Sequence, residues 1–348
     1  LSSIFPSPQS QGLGDGDDSR RGGGGFALFS APIVFNTFGG FEACLAALKE
    51  LCTTTASVGA DSSESSAQLS SAVKVLALLE VATCTDALKS NPQAMAALKG
   101  VLGKLLMELF RILKALFESE VGKEAGTRDA TVKELVLRVA TNISSSCSDA
   151  IPMDTANAGK CAALMGAMLS HLTTRDAASG SGPFNHTRVA HAADGIVELV
   201  CLSINLCRRG ANDNYRWAML DTAMSVRGGG ELQQEDFSEW CVGWIASLYA
   251  VDGDASVNVL AGYLALLLAM LSLDDEEARV KIVAALASHA TASVQSVSSK
   301  PMTWVVALLQ EFVLFQSAAQ ILTKEMVVAM HTVIDKVIAQ NGIVVSSE

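Results

Sequence analysis

From about residue 37, apolar residues recur at i, i+3, i+4 and i+7, and the spacing persists with interruptions to residue 340. This is the period of a helix that buries one face. Strand-like alternation is nearly absent. The spacing predicts helices near 37–56, 67–84, 92–119, 128–146, 156–173, 187–208, 212–225, 235–250, 255–272, 275–291, 300–318 and 323–340. Polar punctuation separates them: "TTTASVGADSSESS" before 67, "SNPQ" before 92, "AASGSGPFN" before 187, "RGGGE" before 232, and "SVSSKP", which sets Pro301 at a helix start. Short polar links between so many helices predict an all-α chain, an armadillo/HEAT-like helical-repeat solenoid rather than a closed bundle.

Residues 1–30 break this pattern. "LSSIFPSPQSQGLGDGDDSRRGGGGFALFS" is rich in Ser, Gly, Pro and Asp. Such a stretch buries too little apolar surface to offset its chain entropy, so it is expected to be a disordered leader ahead of one helical-repeat domain over 31–348. The chain starts at Leu1 rather than Met and reads as part of something longer.

Composition agrees with helix: 50% of residues are hydrophobic, mostly Ala, Leu and Val, with 18% charged and 5% aromatic. A net charge of −11 lowers the expectation of phosphate-backbone binding, which needs a basic stripe. The eight cysteines lie in apolar segments with no CxxC pair, and read as buried small hydrophobes in a reducing compartment. Asn142-Ile143-Ser144 and Asn185-His186-Thr187 match the glycosylation sequon but follow no secretory signal, so the cytoplasm or nucleus is the expected location. The most apolar run, "VLAGYLALLLAMLSL" at 259–273, falls about five residues short of the ~20 that a spanning helix needs, and reads as a core helix.

Two segments repeat. "ELVLRVATNISSSCSDAI" (134–151) and "ELVCLSINLCRRGANDNYRWAML" (198–220) both run from Glu-Leu-Val to an Asn inside an apolar stretch and then to a polar turn. "SAVKVLALLEVATCTDALKSNPQAMAAL" (71–98) follows the same plan without the amide. Armadillo-type repeats have this form, with a long third helix bearing an inward Asn. Asn142 and Asn205 therefore have two readings: amides stapling adjacent repeats, or amides on a concave groove clamping a partner's backbone. Unpaired, either would cost on the order of 1–3 kcal/mol.

Catalytic signals are sparse. His171, His186, His191, His289 and His331 fall in no metal-ligand spacing, and no Walker A, strand-to-helix GxGxxG or GxSxG sequence is present. No metal, cofactor or catalytic residue is expected. "LDDEEAR" (273–279) could hold a divalent ion, but acids at a helix start are favoured by the macrodipole alone. Lys99, Lys104, Arg111 and Lys114 beside the apolar face of 94–119 could suit a membrane surface, and read better as the solvated side of a scaffold helix.

In their order along the chain, several segments resemble one family, the carboxy-terminal helical domain of wings apart-like proteins, the cohesin-release factors. They are "FGGFEACLAALKELC" (38–52), the 71–98 helix with its Asn-Pro turn, "LVLRVATNIS", "LSINLCRRGANDNYRWAML", "VLAGYLALLLAMLSLDDEEARVKIVAALA" and "MTWVVALLQEFVLFQSAAQILTKEMVVAMHTVIDKVI". The resemblance spans about 38–340. It departs where the family often carries a long acidic insertion, reduced here to "SVRGGGELQQEDFSEW".

The resemblance implies a non-catalytic nuclear, chromatin-associated protein that binds cohesin core subunits and their HEAT-repeat accessory subunits and promotes release of cohesin from chromatin. It implies no membrane and no sequence-specific nucleic-acid contact. Expected partner-facing residues are Asn142, Asn205, Asn214 and Arg216, with Asp274, Asp275 and Glu276 as a second patch. An armadillo-type adaptor holding an extended peptide or a partner helix is the alternative.

Overall fold

The computed structural model describes residues 39–55, 63–83, 92–120, 127–147, 154–177, 186–207, 213–228, 231–249, 255–289 and 301–344. The expected leader, 1–30, lies outside them. The described residues form twelve helices and one two-stranded hairpin, so the fold is all-α apart from that hairpin. The chain divides into two compact units between Pro152 and Met153, a boundary that the sequence reading of 31–348 as one domain did not draw.

The first unit holds α1 (Gly40–Thr55), α2 (Ser63–Thr83), α3 (Pro92–Glu120) and α4 (Thr127–Cys147). Pro92 opens α3, where its missing N–H leaves no hydrogen bond unmade. Leu98, Leu102, Leu105, Leu106, Leu109 and Leu113 recur at helical spacing on α3 and are wholly buried, against α1 and α4. Phe41, Cys44 and Leu48 enter this core from α1, Leu76 and Leu79 from α2, and Val136, Val139, Ala140 and Ile143 from α4. Glu108, also buried on α3, is neutralised by Arg111 at 2.9 Å. The apolar face that a membrane-surface helix would need is thus the core of the unit, while Lys104, Arg111 and Lys114 face solvent.

The second unit holds α5 (Thr155–Ala177), α6 (His186–Leu206), α7 (Asp213–Leu220), β1 (Ala223–Gly228), β2 (Glu231–Asp236), α8 (Phe237–Tyr249), α9 (Ala255–Ser272), α10 (Glu276–His289), α11 (Met302–Ala318) and α12 (Lys324–Asn341). Side-chain caps begin three of these helices. Asp154 Oδ1 accepts from Asn157 N at 2.7 Å, Asp275 Oδ1 from Ala278 N at 3.0 Å, and Thr323 Oγ1 from Met326 N at 3.3 Å. Each occupies a backbone N–H that the first turn leaves orphaned. Gly342, at φ 55°, closes α12 in the left-handed conformation that glycine adopts without strain.

The run expected to be a core helix is α9. Leu260, Ala261 and every residue from Leu264 to Leu271 are buried, and α9 packs against α6, α8, α10, α11 and α12. No described helix is long and apolar enough to cross a membrane. α9 meets α11 at very short range: a Cβ on Gly262 would lie 2.2 Å from the Phe312 ring, and Tyr263 packs edge-on to that ring at 5.0 Å.

The predicted helix over 212–225 is corrected. α7 ends at Leu220, and Ala223 to Gly228 pair antiparallel with Asp236 to Glu231. Met224 and Val226 alternate with Ser225 and Arg227, a period of two too short to stand out beside the helical "WAML" before it. Tertiary contact stabilises the hairpin. Met224 is wholly buried, Ser225 N donates to Ser170 Oγ on α5 at 3.0 Å, and Gly166 lets Thr222 approach α5 closely.

Candidate functional site

Asn142 and Asn205 sit within α4 and α6, on faces turned to the interior of their own units. Asn142 is 5% exposed and Asn205 has no exposed surface. Two residues earlier on α6 and on another face of that helix, Ser203, equally buried, accepts a hydrogen bond from Tyr215 Oη on α7 at 3.1 Å. Burial pushes the Tyr215 hydroxyl well above its usual range, so it remains a neutral donor. α7 packs on α5, and this bond ties it to α6 as well.

Arg216, one residue further along α7, points the other way. Its Nη2 donates to Leu271 O at 2.8 Å and to Leu273 O, at the carboxy-terminal end of α9, and Asp213 lies 3.6 Å from Nη1. The last carbonyls of a helix lack intrahelical donors and carry the negative end of its dipole, so a buried guanidinium there is stabilised on both counts. Arg216 is 7% exposed and acts as a helix cap. Asn214, in the first turn of α7, faces solvent.

The acidic turn follows directly from the carbonyls that Arg216 holds. Asp274 adopts φ 60°, and its carboxylate accepts from Gln340 Nε2 on α12 at 3.1 Å. Asp275 caps α10. Arg279 donates to Glu276 and also to the Gln340 carbonyl, and the first of these bonds holds the Glu276 carboxyl below its usual range. The acids therefore start α10 and bind it to the end of α12. Among the described residues no group of three His, Cys, Asp or Glu could hold a metal ion.

α7 and α10 are further joined by Lys281. Its Nζ is 2.7 Å from Asp221 Oδ1 and 5.4 Å above the Trp217 ring, and the Asp221 hydrogen bond raises its pKa. Of the residues expected to face a partner, the structure thus brings Arg216 to the Asp274–Glu276 turn. Asn142 belongs to the other unit.

The described cysteines Cys44, Cys161, Cys201, Cys207 and Cys241 are buried free thiols. Burial pushes Cys161 and Cys207 up to about 12, Cys207 despite the opposing pull of Arg216. They are neutral packing groups at ordinary pH. The side chains of His186 and His191, and Arg208 with Arg209, lie outside the described residues.

No family model matches the chain, and no curated protein matches it.

One surface was not singled out from the sequence. Between α9 and α11 lies a hollow of about 300 Å³ lined by Asn258, Gly262, Leu308, Glu311, Phe312, Leu314, Phe315 and Ala318. Leu314 is 72% exposed and Phe315 41%. The available signal was Leu314, Phe315 and Ala318 on α11, apolar positions outside a face that is already apolar.

Proposed function

We propose that the chain is a non-catalytic regulator in the nucleus that binds cohesin core subunits and their HEAT-repeat accessory subunits and promotes release of cohesin from chromatin. The observation that carries this reading is the order of the resembling segments, whose described residues fall on packed helices. They occupy α1, the α2–α3 passage, α4, the α6–α7 passage, α9 with α10, and α11 with α12. Packing in the second unit supports a repeat architecture. α9 packs against both α6 and α12, three helices before and after it, the spacing at which third helices of successive three-helix repeats stack.

A protein of this kind acts by binding energy: it favours an open state of the cohesin ring by binding that state more tightly than the closed one. The partner-facing residues proposed here are those with exposed surface, Asn214, Asp274 and Glu276, with Asp275 half-buried beside them. Arg216 supports the acidic turn from within, while Asn142 and Asn205 are buried in the cores of their own units. The hollow between α9 and α11 favours a second reading, an adaptor that seats a partner helix or peptide.

The test is a pulldown from nuclear extract with the full chain as bait, quantified by mass spectrometry. Enrichment of cohesin subunits is expected, reduced by Asn214→Ala combined with Asp274→Ala. Recovery of transport receptors or membrane proteins without cohesin would overturn the reading.

A further inference from the structure

The hairpin has two edges, and α5 closes one of them. Ser225 N donates to Ser170 Oγ on α5 at 3.0 Å, so this N–H points away from β2. Opposite residues of an antiparallel pair exchange both backbone hydrogen bonds or neither. Ser225 stands opposite Gln234, so the N–H and C=O of Gln234 also point out of the hairpin, away from β1. Their side chains agree. Gln234 Nε2 donates to Ser225 Oγ at 3.0 Å, the close approach expected across a pair without backbone bonds. The same alternation turns the backbone groups of Leu232 outward. Gln233 and Gln234 are exposed, and among the described residues no group bonds the outward N–H or C=O of Gln234.

We propose that the outer edge of β2 takes an extended, basic segment of a partner protein as the third strand of this sheet. Gln234 supplies main-chain hydrogen bonds to the segment, and Glu235, with Glu239 in the first turn of α8, attracts its Lys or Arg side chains. This deepens the reading of the chain as a binding protein and rests on that reading, but not on cohesin being the partner. Charge selects the occupant. Asp221 and Asp236 already share Lys281, which lies 2.7 Å from Asp221. Glu235 and the exposed Glu239 have no cation beside them among the described residues, so a basic segment meets carboxylates that nothing else neutralises. A second copy is the wrong occupant. Pairing β2 with itself across a two-fold axis would bring together two strands with three acids each, between chains that each carry −11. Those acids guard the edge against self-association and leave it open to a strand of opposite charge.

The test uses the full chain as bait against a displayed library of short randomised peptides, followed by calorimetric titration of the strongest peptide. Enriched sequences are expected to combine a β-branched or aromatic run with Lys or Arg, and amide exchange at Gln234 should slow when the peptide binds. Gln234→Pro removes an N–H that the ladder does not use, so the hairpin is retained while the peptide is expected to weaken by about tenfold, the loss of one main-chain bond. N-methylation of one alternate set of the peptide's amides should abolish binding and of the other set should leave it, because only one set faces β2. These peptides act on the unaltered chain and decide the matter if Gln234→Pro disturbs the hairpin. Glu235→Lys combined with Glu239→Lys is expected to weaken the peptide and to tighten a version whose basic residues are replaced by Glu. The proposal is overturned by a library with no enrichment, by acidic consensus sequences, by equal sensitivity to both methylated sets, or by a dimer in sedimentation that Gln234→Pro abolishes. Failure to recover cohesin from extract leaves these readouts unchanged, so the two ideas fail separately.

Discussion

Arg216 shows how one side chain can join elements distant in sequence. Its guanidinium reaches two carbonyls at the end of α9, 55 and 57 residues away. Arg216→Met keeps the apolar stem but leaves those buried carbonyls without a donor, at about 2–3 kcal/mol for hydrogen bonds to a charged group. The urea midpoint should fall accordingly with an unchanged slope, and Arg216→Lys should restore only part, since an ammonium lacks the fork. The buried thiols give a second residue-level outcome. Cys161 and Cys207 titrate near 9.0 when unfolded and at about 12 when folded, because burial disfavours the thiolate. Above pH 9 the unfolded chain therefore binds fewer protons than the folded one, and stability falls as pH rises from about 9 toward about 12. Urea titrations across pH 8 to 11 should show that decline, and thiol reagents at pH 8 should label these cysteines only after unfolding. The positions of both amides and all candidate acids were legible as residues. Arg216's destination was not, because its acceptors are backbone carbonyls with no sequence signature.

Elements were legible where their period was long and regular. α9 and α11 extend for 18 and 17 residues, apolar runs too long for a strand, and Pro301 marks where α11 begins. β1 and β2 are six residues each, and their alternation competes with an adjoining helical pattern. What holds them is contact with α5, which no local pattern encodes. Close approach between elements likewise depends on single residues. Gly262→Ala would drive a methyl group into the Phe312 ring and should destabilise the chain by about 1–3 kcal/mol. Combining it with Phe312→Leu, which removes the ring, should recover part of that loss. A double-mutant cycle read by thermal melts measures the coupling, and strict additivity would show that the two helices adjust independently.

At the scale of the molecule, charge and core organisation decide behaviour. With −11 net charge the chain should pass through heparin resin at physiological salt and show no measurable shift of duplex DNA in gel mobility assays. Retention that weakens steeply with salt would reveal a basic surface and contradict this. Each unit has its own core, around α3 in the first and α9 in the second. Residues 153–348 expressed alone are therefore expected to give helical circular dichroism and a cooperative urea transition.

Helical class, the α9 core segment and the helix starts at Pro92, Pro301 and Asp275 follow from the sequence alone. They are set by backbone period and by the few residues that suit a helix end, both of which act within four or five positions. The hairpin, the division at Pro152, the burial of Asn205, the cap made by Arg216 and the open stripe at Leu314 and Phe315 were decided only by tertiary structure. Each depends on which surface a distant element covers. An apolar residue at a helical position is equally suited to a core or to a groove until its neighbour is in place.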